Sequence, residues 1–201
     1  MPRIVPGVHP DPTCPQPRLP RLRPSQLSPA QRQLYDEIAG GPRAGGPFAL
    51  TDDEGGLLGP FNAMLLSPAV GAALQALGAS VRYHSDLTPR VREIATLAVA
   101  AHWDSAFERH AHTAVGRAVG LTEAEMRALR DGAPLELADP VEAAALATVR
   151  ALVGCGDLDD PGYDRAREAL GDRGVFELTA LVGYYATLAL QLRVFRVPAP
   201  D

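Results

Sequence analysis

The sequence predicts an all-α protein, a compact helical bundle, and three observations carry that expectation. Helix-start signals recur along the chain, each a Ser, Thr or Asp followed by Pro or by an acid three residues on, from Ser28 to Asp160. Apolar residues between these starts fall at spacings of three and four. Alternating runs bounded by hairpin turns, the mark of strands, are almost absent, and so is any fixed-period repeat.

The elements follow in order. Residues 1–29 hold nine of the 19 prolines, too many for helix or central strand, so residues 1–18 are expected to be a flexible arm. The helical domain is expected to cover 19–201. Ser28-Pro29 opens a first helix that Gly40-Gly41 closes. Asp53 to Pro60 reads as loop. Ser67-Pro68 opens the next helix, with Val70, Leu74 and Leu77 at helical spacing. Thr88-Pro89 opens a third, whose apolar stripe is Val91, Ile94, Ala95 and Ala98. A fourth runs from about Ser105 to Val119 and ends at Gly120. Thr122 with Glu125 reads as a capping box. Asp139-Pro140 and Asp160-Pro161 start two more helices. The last helix, roughly 174–196, is apolar on nearly every side, which predicts a central, buried position.

Composition narrows the function. A net charge of −5 argues against a nucleic-acid partner, because phosphate binding needs clustered positive charge. Every basic residue other than His is Arg; without lysine there is no amine for Schiff-base chemistry. No contiguous apolar run approaches the ~20 residues of a membrane span, and the N-terminus has no apolar signal-peptide core, so no membrane partner and a cytoplasmic address are expected. Cys14 and Cys155 match neither a disulfide framework nor a zinc spacing and read as incidental thiols.

The chemistry-bearing window is Thr88 to Leu129. Ser105, Glu108 and His112 stand three and four residues apart, on one face of a helix. A short turn at Trp103-Asp104 packs that helix against the preceding one, which carries Glu93. A carboxylate beside an imidazole sets the ring's tautomer and leaves it able to move a proton near neutral pH. By spacing alone, Glu108 and His112 read more often as a surface pair. His110 and His112 invite a metal reading, but residues two apart on a helix point to different sides. Glu93, Glu108 and His112 could make a three-ligand site; the expectation is that no metal is bound.

The stretch Leu87-Thr-Pro-Arg-Val-Arg-Glu93-Ile-Ala-Thr-Leu-Ala-Val-Ala, followed by Phe107-Glu108-Arg109-His110-Ala111-His112 and Gly120-Leu121, resembles the carboxymuconolactone decarboxylase family. Gly59-Pro60-Phe61-Asn62 with Ser67-Pro68, and Leu178 to Tyr185, resemble further parts of it, so the likeness runs from about Leu19 to Val197. The resemblance implies a helical bundle of the alkylhydroperoxidase-D-like type. It also marks two departures. The peroxidase branch has paired cysteines where this chain has Ser105 and Glu108, so the thiolate chemistry of that branch is not expected. Arg109 stands where the decarboxylase signature has Trp.

The resemblance further implies a cofactor-independent decarboxylase, or a related proton-transfer enzyme, acting on a small lactone or unsaturated or keto acid. His112, Glu108 and Glu93 are the expected catalytic residues, with His112 moving the proton, Glu108 orienting the ring and Glu93 behind. Of Arg82, Arg90, Arg92 and Arg109, any could meet a substrate carboxylate; Arg90 and Arg109 are taken as substrate-binding, with Ser105, Tyr83 and Tyr184. His84 and Tyr185 could also line the cavity, whereas Trp103 and Phe61 read as packing residues. An isomerase, cyclase or dehydratase on the same scaffold, or a non-catalytic oligomeric binding protein, remains open. The partners implied are a small-molecule substrate and further copies of the chain, as dimer, trimer or hexamer.

Overall fold

The computed structural model describes residues 16–200. Most of the proline-rich arm, Cys14 included, lies outside the described residues. Within them the chain forms eight α-helices: α1 (Pro29–Ala39), α2 (Pro60–Met64), α3 (Pro68–Tyr83), α4 (Pro89–His102), α5 (Ala106–Ala118), α6 (Glu123–Arg130), α7 (Pro140–Cys155) and α8 (Asp160–Phe195). A single 3-10 turn, Pro24–Gln26, precedes them, and one isolated antiparallel bridge pairs Thr51 with Leu57. The all-α expectation holds.

Local chemistry accounts for where these helices begin. Ser28 and Gln31 close a reciprocal capping box at α1, and Thr122 and Glu125 close another at α6. The Thr88 hydroxyl accepts from the Val91 amide at 3.2 Å, and Asp139 from the Val141 amide at 2.8 Å. At α8 the cap is Asp159, one residue earlier than the sequence indicates; its carboxylate accepts from the Gly162 amide at 2.8 Å. The sequence predicts two helices beyond Asp160. They form one element broken at Gly171, whose φ of 69° is a conformation glycine tolerates and other residues rarely adopt.

The central helix is α4, not the last one. It packs against α5, α6, α7 and α8, and buries every residue from Glu93 to Ala100. The second half of α8 instead covers α4 with one face, through Leu178, Leu181, Tyr185, Leu188 and Leu192. Its other face leaves Phe176, Leu190 and Val194 exposed. This helix is also long and apolar enough to cross a membrane, with a mean hydropathy of 1.3 over its richest window, so counting contiguous apolar residues understates it. A core helix passes the same test; here the segment packs on α3, α4 and α7.

The α4–α5 turn positions the site. Asp104 takes a left-handed conformation, φ 49°, which the short polar side chain of Asp tolerates. The Ser105 amide then returns to the Ala100 carbonyl at 2.9 Å, and α5 folds back along α4.

Candidate active site

The His112 ring lies on the buried face of α5, 6 % exposed, and meets Glu93 of α4, 5 % exposed. His112 Nδ1 stands 2.6 Å from Glu93 Oε2, a short, charge-assisted separation. This pairing commits Nδ1 to the carboxylate and leaves Nε2 as the nitrogen available for chemistry. The edge of the Tyr185 ring packs on the imidazole at 5.1 Å between centroids, and Tyr184 packs likewise on Tyr185.

Glu108, one turn before His112, is 3 % exposed, and neither of its carboxyl oxygens has a hydrogen-bond partner. Burial pushes this carboxyl from the usual range up to about 8. The nearby Ser105 hydroxyl pulls slightly the other way, although it makes no hydrogen bond of good geometry. At neutral pH Glu108 is therefore mostly a neutral acid, able to donate. Sequence spacing pairs Glu108 with the imidazole and sets Glu93 behind; the geometry exchanges those places. Burial also raises Tyr184 and Tyr185, keeping both phenols protonated.

Glu108, His112, Tyr184 and Tyr185 share a small, partly open cavity of about 50 Å³. Phe48, Phe61, Phe107, Ala111 and Leu188 supply apolar wall; Arg43, Arg82 and Tyr83 supply polar groups. Two glycines make the wall possible. Gly59 holds φ 60°, and a Cβ there would collide with the Phe107 ring; at Gly78 it would collide with the Tyr184 hydroxyl.

The expected residues divide. His112, Glu108, Tyr83 and Tyr184 line the cavity, with Glu93 behind the imidazole. Ser105, buried at the N-cap of α5, does not. Arg90 faces elsewhere: it donates to Glu142 at 2.7 Å, Glu125 at 2.9 Å and the Gly120 carbonyl at 2.5 Å, tying α4 to α6 and α7. Arg109 pairs with Asp104 at 2.8 Å across the α4–α5 turn and is absent from the cavity wall. Neither therefore meets the expectation of a substrate-binding residue. The arginines on the wall are Arg82, one of the four within sequence reach of the motif, and Arg43, which sequence reasoning misses because it comes from the loop after α1. Phe61, expected only to pack, also lines the cavity, as does Tyr185. His110 is exposed on the other side of α5. Among the described residues no three His, Cys, Asp or Glu side chains converge as a metal-binding group, so Glu93, Glu108 and His112 are not arranged as ligands. Cys155 is exposed at the end of α7, away from the cavity.

Fold and site together define an all-helical protein with the alkylhydroperoxidase-D-like fold, in which a buried Glu–His pair stands beside a partly open cavity. Residues 68–151 match the carboxymuconolactone decarboxylase family. No curated protein matches the chain. Solved structures share the fold. An alkylhydroperoxidase AhpD core, an uncharacterized peroxidase-related protein from Ralstonia eutropha JMP134, matches with a TM-score of 0.71 at 15% identity, covering 93% of this chain and 94% of that one. A protein of unknown function from Agrobacterium tumefaciens matches at 0.62 and 22% identity, over 71% of this chain and 99% of its own. The debrominase Bmp8, as a Cys→Ala variant with 2,3,4-tribromopyrrole, matches at 0.69 and 13% identity, with 90% of each chain covered.

Proposed function

We propose that the protein is a cofactor-independent proton-transfer enzyme of the decarboxylase type, acting on a small lactone or unsaturated or keto acid. The observation that carries this reading is the contact of 2.6 Å between Glu93 and Nδ1 of His112, whose ring lines the cavity that Glu108 also lines. Loss of CO₂ leaves an electron pair that must delocalise into an adjacent carbonyl or alkene and then take a proton on carbon. Glu108, neutral at pH 7, is placed to donate that proton or to hydrogen-bond the developing oxyanion. His112 relays a proton through Nε2, and Glu93 stabilises the imidazolium formed on the way. The apolar wall keeps water from competing. Thiol peroxidase chemistry finds little support, because among the described residues no cysteine lines the cavity.

The same groups would serve an isomerase or dehydratase, in which proton transfer occurs and no CO₂ leaves. Two assays separate these. Release of CO₂ from γ-carboxymuconolactone identifies a decarboxylase; solvent-deuterium incorporation into unsaturated acids without CO₂ release identifies the second class. In whichever assay is positive, His112→Ala is expected to lower the rate by ~10²–10⁴-fold. A variant with near wild-type turnover would remove His112 from the mechanism. Silence in both assays across a broad panel of acids and lactones would favour a binding protein.

A further inference from the structure

We propose that Arg43 and Arg82 are the carboxylate-recognition groups of the cavity, and that they hold a carboxylate that stays on the substrate rather than one that departs. Both side chains are partly buried on the cavity wall, and among the described residues neither makes an ion pair with an acid. Of the other arginines within sequence reach of the motif, Arg90 is held by Glu125 and Glu142 and Arg109 by Asp104, and Arg92 is not on the cavity wall.

Each guanidinium is nevertheless held in place. Arg43 donates to the Gln75 side chain and stacks over Phe61 at 5.6 Å; Arg82 lies over Tyr83 at 5.9 Å. Aromatic and amide neighbours fix a guanidinium without neutralising it, which leaves its charge for a ligand. Both cations act on the Tyr184 hydroxyl, drawing it against the upward push of burial. Glu108 acts on the same hydroxyl in the opposite sense. The cavity wall therefore carries two guanidiniums not neutralised by an acid, alongside Tyr184, Glu108 and His112.

This assignment rests on the proton-transfer reading and sharpens its substrate class. A carboxylate that leaves as CO₂ loses its charge on the way to the transition state. Clamping it with guanidiniums would stabilise the ground state more and slow the step. The two guanidiniums therefore suit a spectator carboxylate, with the reacting carbon set towards Glu108 and His112. If CO₂ is released, the substrate is a dicarboxylate; if not, one carboxylate suffices.

The test separates binding from turnover. Sorbate and its uncharged isostere sorbamide, together with a short unsaturated dicarboxylate such as muconate, are titrated into the full chain by calorimetry. The variants are Arg43→Gln, Arg82→Gln and His112→Ala, each checked by thermal melting. Wild type is expected to bind sorbate about tenfold more tightly than sorbamide, as for a charge-assisted contact. Each Gln variant should lose most of that preference while binding sorbamide as before, and His112→Ala should keep it. Equal affinity for acid and amide in wild type, no binding of any probe, or an unchanged preference in both Gln variants would overturn the assignment. Carboxylate binding that needs the arginines, without proton exchange in wild type, would instead sink the catalytic reading alone.

Discussion

Glu108 is a carboxyl group whose protonation is coupled to folding. Its folded value, about 8, lies above the ordinary 4.5, so between these limits the folded chain keeps a proton that the unfolded chain releases. The stability it supports is fully present below about pH 4.5, falls as the pH rises and is gone above about 8. The melting temperature of wild type is therefore expected to decline from pH 5 to 8. Glu108→Gln, neutral throughout, should flatten that slope and melt higher than wild type at pH 8.5. The gain should be on the order of a few kcal/mol, because each tenfold change in proton affinity is worth about 1.4 kcal/mol. Matching profiles for the two proteins would show that Glu108 is hydrated. Half of this site is legible in the sequence. Spacing puts Glu108 and His112 on one helical face, because the helical repeat alone decides that. It does not say which carboxylate touches the ring, since that depends on how α5 lies along α4. Glu93, nineteen residues before His112, makes the contact.

Helix starts are the most legible elements, because Ser28, Thr88, Thr122 and Asp139 act on amides two or three residues away. The five-residue α2 escapes a sequence reading: it is too short to announce itself by periodicity, and it is held by burying Phe61 and Met64 in the core. The central place of α4 is also hidden, because Glu93 and Thr96 interrupt its apolar run although both are buried. Arg90 shows the same limit, since its partners Glu125 and Glu142 lie 35 and 52 residues on. Its place joining α4, α6 and α7 makes a stability prediction. Replacing Arg90 with Met strands the buried Glu142 carboxylate, a loss of about 2–3 kcal/mol after allowing for the 29% exposure of the arginine side chain. For a chain of this size the melting point should fall by about 4–12 °C. Sorbate affinity should not change. An unchanged melting point would reduce the cluster to a surface contact, and weakened sorbate binding would bring Arg90 back to the site.

At the scale of the whole molecule, large apolar side chains on α3 and α8 stand exposed among the described residues. Val70 and Leu77, seven apart on α3, stand 65% and 42% exposed. On α8, which packs against α3, Phe176, Leu190 and Val194 repeat at helical spacing with exposures of 73%, 44% and 51%. This is why α8 reads as apolar all round: one face covers the core, and the other is written for something else. Large apolar side chains gathered on adjoining helices mark a surface that association would cover. The homo-oligomer inferred for this chain is proposed to form there, with a second copy of the same two helices supplying a matching stripe. Sedimentation of the wild-type chain should then give a multiple of 21.3 kDa. Phe176→Glu with Leu190→Glu should shift the species to a lower mass, because burying two unpaired carboxylates opposes association. Tyr163→Glu, an exposed aromatic ahead of the Gly171 break, should leave the mass unchanged. A wild-type chain sedimenting as a monomer at micromolar concentration would defeat the assembly. An oligomer indifferent to the Phe176 and Leu190 changes would move its interface off α8.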